Sequence, residues 1–216
     1  MTRAEVCERI ETVGIVPVIR APSAELAMQA VEAILAGGIS VFEITMTIPD
    51  APAVIRSLRS RFGERALIGA GTVLDAASAR ACIEAGAEFI VSPGFDPATI
   101  AAAHEAGIAA MPGALTPTEV IAAWKAGADV VKIFPASALG GASYLRALKG
   151  PLPQVKLMPT GGVNINTARD FLAAGAVALG VGSELVDIAA LSDGRAHVLT
   201  ERAREFVAAV SAARTK

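Results

Sequence analysis

Two charged residues interrupt segments of the chain that are otherwise apolar. Lys132 lies within residues 130–134 (VVKIF), and Glu43 lies within Val41–Thr45 (VFEIT). Because side chains alternate across a strand, Lys132 shares a face with its apolar second neighbours. Burial disfavours the ammonium form of a lysine and favours the free amine, which can attack a ketone to form a Schiff base. A lysine that extends to the surface, or that only pairs with an internal acid, is the alternative interpretation.

Glu43 is a candidate proton-transfer partner for this amine. The two residues lie on the second and sixth predicted strands, and inward side chains of even-numbered strands share layers in a barrel. A carboxyl group in an apolar site suits a residue that both accepts and donates protons. A simple buried salt bridge is the alternative, although such a pair often stabilises a fold no more than apolar side chains do.

Two glycine-rich segments follow the last two predicted strands. They are residues 159–163 (PTGGV) and residues 180–183 (GVGS). Barrel enzymes commonly hold phosphate in the loops after the seventh and eighth strands, through backbone N–H groups that glycine lets a ligand approach. The pair of segments therefore predicts a phosphate site, with two tight turns that bind nothing as the alternative.

Short apolar segments typical of strands recur along the chain, and each precedes an alanine-rich segment with helical periodicity. The predicted strands are residues 15–20, 41–45, 66–72, 89–92, 109–112, 130–134, 156–160 and 177–181. The predicted helices include residues 24–36, 51–62, 78–85, 99–106, 117–126 and 167–174. This α/β pattern predicts a single domain over residues 1–216, a (β/α)8 TIM barrel with an extra N-terminal helix at residues 3–12.

A doubly wound open sheet is the competing architecture. Such a sheet normally has a glycine-rich nucleotide loop after its first strand. The segment VPVIRAPSAE, which includes the end of the first predicted strand and the residues after it, contains no glycine. We therefore expect the barrel.

Composition argues against several classes of protein. The 216 residues carry a net charge of −2 with acids and bases interspersed, which argues against nucleic-acid and membrane partners. No segment resembles a signal peptide, so we expect none, and no apolar run approaches the roughly 20 residues that span a bilayer. Cys7 and Cys82 suggest no disulfide framework, so we expect a cytoplasmic protein. His104 and His197 lie far apart in helical segments, so we expect no metal or other cofactor.

A series of ordered motifs lies at the ends of the predicted strands. The motifs are GIVPVIR at 14–20, EIT at 43–45, IGAGTV at 68–73, VSPG at 91–94, MPG at 111–113, KIFPA at 132–136, PTGGV at 159–163 and GS at 182–183. Over essentially its whole length the chain resembles the 2-keto-3-deoxy-6-phosphogluconate (KDPG)/4-hydroxy-2-oxoglutarate (KHG) aldolase family. The resemblance implies a homotrimer without metal that cleaves the phosphorylated keto acid KDPG to pyruvate and glyceraldehyde 3-phosphate.

The resemblance also implies roles for individual residues. Lys132 corresponds to the Schiff-base residue and Glu43 to the proton shuttle. Thr72 and Pro93 correspond to residues that help to form the pyruvate pocket. The remaining predicted binding residues are Phe134 and Thr160, which line the site, and Gly161, Gly162, Gly182 and Ser183 of the phosphate loops.

The chain departs from the family pattern at Thr47. Many members have an arginine at this position, four residues after the catalytic glutamate. Related galactonate-type aldolases instead carry an arginine at the end of the first strand, where this chain has Arg20. We therefore expect Arg20 to bind an anionic group of the substrate, namely the carboxylate, with a surface arginine as the alternative.

Other functions remain open on the sequence alone. The same chemistry could act on KHG or on the galactonate epimer of KDPG. A phosphosugar isomerase or epimerase barrel would share the phosphate loops but would not need an inward lysine on its sixth strand. A trimeric assembly module without activity would need neither Lys132 nor Glu43.

Overall fold

The computed structural model describes residues 1–215, which form an α/β fold with parallel strand pairs. The strands are β1 (Ile15–Ile19), β2 (Val41–Thr45), β3 (Leu67–Gly71), β4 (Phe89–Val91), β5 (Ala109–Met111), β6 (Gly113–Ala114), β7 (Val131–Ile133), β8 (Leu157–Pro159) and β9 (Leu179–Val181). The helices are α1 (Arg3–Val13), α2 (Ala24–Ala36), α3 (Ala51–Phe62), α4 (Ala76–Glu84), α5 (Pro97–Glu105), α6 (Pro117–Lys125), α7 (Ala142–Lys149), α8 (Ile165–Ala173), α9 (Ile188–Ser192) and α10 (His197–Arg214). Short 3-10 helices occupy Gly63–Arg65 and Ala136–Leu139.

The strands form two sheets that curl around a common interior. One has the order β5-β4-β3-β2-β1-β9, and the other has the order β6-β7-β8. Strand β5 ends at Met111, one residue before the predicted end of the fifth strand, because Pro112 has no amide hydrogen to donate to a sheet. The short strand β6, which was not predicted, follows Pro112. Single parallel bridges pair Leu157 with Ala176 and Thr160 with Gly180, which brings β8 beside β9. The two sheets are therefore adjacent on both sides.

Local sequence explains where the helices begin and end. Ser23 and Asp75 cap α2 and α4 by accepting hydrogen bonds from backbone N–H groups of the first turn. Thr116 and Glu119 form a reciprocal capping box at the start of α6. Gly127, with φ of 92°, follows α6 in the left-handed conformation that commonly ends a helix.

Apolar side chains point to both faces of the strands, as expected for parallel strands covered on both sides. Ile68 and Ile90 belong to the large core between strands and helices, whereas Leu67 and Phe89 belong to a second core. Ile10 of α1 joins this second core. Helix α1 therefore packs on side chains from the starts of the strands, and the opposite ends carry the candidate site. No helix among residues 1–215 is both long and apolar enough to cross a membrane.

Candidate active site

Lys132 and Glu43 meet in the interior of the strand assembly. Lys132 lies in the middle of β7 and Glu43 in the middle of β2. The Lys132 Nζ atom is 3.3 Å from Oε1 and 3.4 Å from Oε2 of Glu43. Glu43 is fully buried and Lys132 is 5% exposed. The two charged residues that interrupt apolar strands are thus direct partners, in a setting where proton transfer between them needs no intervening group.

Phe134 connects this pair to a surface cleft. Lys132 Nζ lies 5.6 Å from the centroid of the Phe134 ring, within the range of a cation–π contact. The Phe134 ring is 37% exposed and lines a cleft of about 710 Å³. A ligand in this cleft would therefore contact the same aromatic ring that contacts the Lys132 amine.

The two glycine-rich loops line the same cleft. Thr160, Gly161 and Gly162 follow β8, and Gly182 and Ser183 follow β9. Backbone N–H groups of such loops, together with a serine hydroxyl, are typical anion ligands. The structure therefore brings together the loops that the sequence predicted to bind phosphate.

The loop glycines Gly161, Gly162 and Gly182 differ in whether the fold itself requires a glycine at that position. Gly161 and Gly162 have φ of 90° and 75°. A Cβ on Gly162 would also lie 2.4 Å from the Cβ of Ser137, so glycine is required there by the fold itself. A Cβ on Gly182 would meet no protein atom within 4 Å. The fold does not require glycine at position 182, so close approach of a ligand is the reason we assign to it.

Thr160 places an unpaired hydroxyl group beside the cleft. Its Oγ1 atom is buried and has no hydrogen-bond partner within residues 1–215. A buried hydroxyl without a partner costs about 1–3 kcal/mol, which a ligand group can recover by bonding to it. Gly180 makes room for this side chain, since a Cβ there would lie 2.1 Å from Thr160 Oγ1.

Arg20 and Thr47 follow neighbouring strands, and both are exposed. Thr45 connects the two strand ends, because its Oγ1 donates to the Ile19 carbonyl at 3.0 Å and lies 2.7 Å from Thr47 Oγ1. Arg20 lines the cleft together with the glycine-rich loops. The structure thus places Arg20 where it can reach an anionic ligand.

Thr72 and Pro93 follow β3 and β4 and are half-buried, but they do not line this cleft. Thr72 has φ of 58°, a left-handed conformation that is strained for a β-branched residue. Strained backbone of this kind concentrates at functional sites. No sequence pattern indicated the strain at Thr72.

Sequence reasoning missed three residues of this region. Gly71 accommodates the Glu43 carboxyl group, because a Cβ there would lie 2.1 Å from Glu43 Oε1. A glycine inside a strand often marks a close approach of this kind, so the IGAGTV motif contained a usable signal. Asp187 and Arg202 also line the cleft, but both come from the C-terminal helical region, which no strand-end motif identifies.

The two histidines lie away from this site. His104 Nε2 is 3.0 Å from Asp129 Oδ2, and His197 is exposed at the start of α10. Within residues 1–215, no group of three or more His, Cys, Asp and Glu side chains is arranged to hold a metal ion.

Comparisons with known proteins agree on one family. Residues 6–201 match the family model for KDPG and KHG aldolase. The KHG/KDPG aldolase of Escherichia coli (strain K12) is 39% identical over 201 residues, which cover 93% of this chain and 94% of that protein. The crystal structure of KDPG aldolase from Legionella pneumophila, with pyruvate captured at low pH as a covalent carbinolamine intermediate, is 32% identical. The match covers 92% of this chain and 96% of the Legionella chain, with a TM-score of 0.85. A native KDPGal structure is 30% identical, with a TM-score of 0.84 and coverage of 94% of this chain and 96% of its own.

Proposed function

The chain belongs to the KDPG and KHG aldolase family, and from this premise we propose that it cleaves KDPG to pyruvate and glyceraldehyde 3-phosphate. It is a class I aldolase, a carbon–carbon lyase that works through a Schiff base. The observation that carries the proposal is the buried contact between Lys132 and Glu43, with the two phosphate-type loops at the adjacent cleft.

Lys132 provides the nucleophile. Its neutral Nζ adds to the C2 carbonyl of the substrate and gives a carbinolamine, which loses water to form a cationic iminium. Glu43 lies within hydrogen-bond distance of that nitrogen, so it can accept the proton that the amine releases and donate one to the departing hydroxyl group.

The iminium then acts as an electron sink for cleavage. Glu43, directly or through one water molecule, removes the proton of the C4 hydroxyl group. The C3–C4 bond breaks, its electron pair passes to the iminium, and glyceraldehyde 3-phosphate leaves. The remaining enamine takes a proton at C3, and water hydrolyses the resulting iminium to pyruvate and free Lys132.

The surrounding residues bind the two ends of the substrate. We assign the carboxylate to Arg20, whose planar guanidinium group can bond both oxygens. Thr72 and Pro93 help to form the pyruvate pocket, and Phe134 and Thr160 line the site. The phosphate group binds to the loops of Gly161 and Gly162 and of Gly182 and Ser183.

We infer that residues 1–216 form one domain, a closed (β/α)8 barrel with α1 as an extra helix at the starts of the strands. Two observations support closure: the bridges bring β8 beside β9, and only Pro112 separates β5 of one sheet from β6 of the other. We also propose a homotrimer. Leu74 and Phe95 follow β3 and β4 and are 64% and 36% exposed, and a contact between copies would cover such side chains. The cytoplasmic location remains a prediction.

Trapping of the Schiff base tests the proposed function. Pyruvate with borohydride should add one reduced adduct per chain, in the peptide that contains Lys132, and Lys132→Met should abolish it. Lys149→Met is the matched control, because burial lowers the pKa of Lys149 and makes it a competing amine away from the cleft. An adduct that maps to Lys149, or that persists in Lys132→Met, would overturn the assignment. If no adduct forms and phosphosugars are isomerised or epimerised instead, the alternative enzyme class is correct.

A second candidate keeps the chemistry and changes the substrate. The similar proteins carry the names KHG/KDPG aldolase and KDPGal, so the same lysine could act on KHG or on the galactonate epimer. The stereochemistry at C4 depends on the shape of the cleft around Thr160 and the exposed Thr47. A comparison of kcat/KM for the two phosphorylated epimers and for KHG decides between these substrates.

A further inference from the structure

Arg202 lines the same cleft as the two glycine-rich loops, although it comes from the C-terminal helix α10. Its guanidinium group is half-buried, with 35% of the side chain exposed. We infer that Arg202 is the cationic ligand of the substrate phosphate group and thereby determines the preference for phosphorylated substrates. This inference rests on the proposed function and adds a residue to its substrate site.

Asp187 holds Arg202 at the rim of the cleft. Asp187 Oδ1 accepts a hydrogen bond from the Ala190 N–H at 2.9 Å and so caps α9, while Oδ2 lies 3.1 Å from Arg202 Nη2. The hydrogen bond from the Ala190 N–H is the largest cause that lowers the pKa of the Asp187 carboxyl group. The positive charge of Arg202 lowers this pKa further. Asp187 is therefore a fixed anion. A guanidinium group carries five N–H donors, and this ion pair leaves donors for a ligand.

The net charge of the cleft lining depends on Arg202. The charged residues that line it are Arg20, Arg202, Glu184 and Asp187, two of each sign. A phosphate group carries about 1.5 to 2 negative charges near neutral pH. Without Arg202 the lining would have a net negative charge, which would repel that group. The substrate has two anionic ends and the cleft has two arginines, so one arginine for each end is the simplest match.

Position distinguishes the two arginines. Arg20 follows β1, which pairs with the strand that carries Glu43, and suits the carboxylate next to the reacting ketone. Arg202 pairs with Asp187, which lies four residues after Ser183 of the second phosphate loop. The arginine beside that loop suits the distal phosphate.

A purely structural role is the competing explanation. In that case the Arg202–Asp187 pair would only tie α10 to α9. Ion pairs near the surface contribute little to stability. Loss of a purely structural pair would therefore affect every substrate alike. The chain offers a matched control, since Arg195 and Asp193 form an exposed ion pair at 2.8 Å in the same helical region without lining the cleft.

The test compares kcat/KM for KDPG with kcat/KM for unphosphorylated KHG in each variant. Arg202→Gln should lower the KDPG/KHG ratio about 10-fold or more, mainly through KM, because a charge-assisted hydrogen bond is lost. Arg202→Lys should restore part of the ratio, and Arg195→Gln should change it less than about twofold. Inorganic phosphate, tested as an inhibitor of KHG cleavage, should bind about 10-fold more weakly to Arg202→Gln.

Asp187→Asn distinguishes a phosphate-binding role of Arg202 from a purely structural role. Asparagine can still cap α9, and its amide oxygen can still accept a hydrogen bond from Arg202. The negative charge that offsets Arg202 and repels phosphate is gone, so the KDPG/KHG ratio should rise. The contrary outcome is that Arg202→Gln and Asp187→Asn lower activity on both substrates equally, or lower only Tm. In either case Arg202 only connects α10 to α9, and the inference is wrong. If the wild-type protein forms no pyruvate adduct and cleaves neither substrate, the proposed function is wrong, whatever the role of Arg202. Weaker binding of inorganic phosphate to Arg202→Gln remains measurable by a direct binding assay in that case, so the two failures are distinguishable.

Discussion

A Cβ atom on Gly71 would lie 2.1 Å from Oε1 of Glu43 and 2.3 Å from its Cγ. Gly71 is the last residue of β3 and pairs with Thr45, two residues beyond Glu43 on β2. The missing side chain at position 71 therefore provides the space in which the Glu43 carboxyl group sits beside Lys132. A glycine on one strand fixes the position of an acid on the next.

Gly71→Ala should thus impair catalysis more than folding. The methyl group displaces the Glu43 carboxyl group from Lys132 Nζ, and misplacing a catalytic group by about 1 Å can cost about 100-fold in rate. We expect kcat to fall by about that factor. The borohydride adduct at Lys132 should still form, but at a lower rate. Gly150→Ala is the control, because its Cβ would meet only the Ala147 carbonyl oxygen, at 3.6 Å. Equal kcat values in the two variants would contradict the positioning role of Gly71.

The sequence predicted the regular elements of the fold well. The predicted limits of α2, α3 and β2 are the observed ones, since each of these elements has a clear periodicity and an evident start or stop signal. The fifth strand was predicted over residues 109–112, but β5 ends at Met111 and the short strand β6 after Pro112 was not predicted. The earlier end was readable from the missing N–H of proline.

The sequence also predicted that Lys132 and Glu43 could meet, and the structure places them in direct contact. Lys132 and Glu43 were recognisable because charge inside an apolar strand is rare. Arg202 was not recognisable, since an arginine on an amphipathic helix is normally a solvated surface residue. Its position at the cleft depends on how α10 packs against the rest of the fold, which no local pattern encodes.

Gly182→Ala should weaken phosphate binding without loss of stability. The added methyl group meets no protein atom within 4 Å, so it points into space that a ligand would use. We expect KM for KDPG to rise about 10-fold, with a smaller effect on KHG and little change in Tm. Gly162→Ala should instead lower Tm, because φ is 75° and the new Cβ would lie 2.4 Å from the Ser137 Cβ. A large drop in Tm for Gly182→Ala would mean that its loop supports the fold.

The two cysteines should be unreactive in the native protein. Burial raises the pKa of the Cys7 thiol and the pKa of the Cys82 thiol, each to about 11. At pH 8 only about one thiol in a thousand is then ionised, and the thiolate is the reactive form. Alkylation at pH 8 should therefore require unfolding at both positions. Rapid modification of either native thiol would contradict the raised pKa.

The same thiols should make stability depend on alkaline pH. In the unfolded chain the thiols ionise near pH 9, their unperturbed value, whereas in the folded chain they stay protonated until about pH 11. The unfolded state thus binds fewer protons in this window, so the free energy of unfolding decreases as pH rises from 9 to 11. Cys82→Ala should make this decrease shallower, measured as Tm against pH beside the wild-type protein. Parallel curves for the two proteins would contradict it.

The last prediction concerns Arg20 and Thr47. Thr45 Oγ1 contacts both the Ile19 carbonyl, next to Arg20, and the Thr47 hydroxyl group, so the two positions are held at neighbouring strand ends. An arginine at either position could place its guanidinium group over the same part of the cleft. Arg20→Ala should raise KM about 10-fold or more for KDPG and KHG alike, because both contain the carboxylate. Arg20→Ala with Thr47→Arg should recover part of the loss, whereas Thr47→Arg alone brings two cations together and should give no gain. If Arg20→Ala impairs only KDPG, Arg20 binds phosphate beside Arg202, and the carboxylate must bind to backbone N–H groups near Thr72 and Pro93.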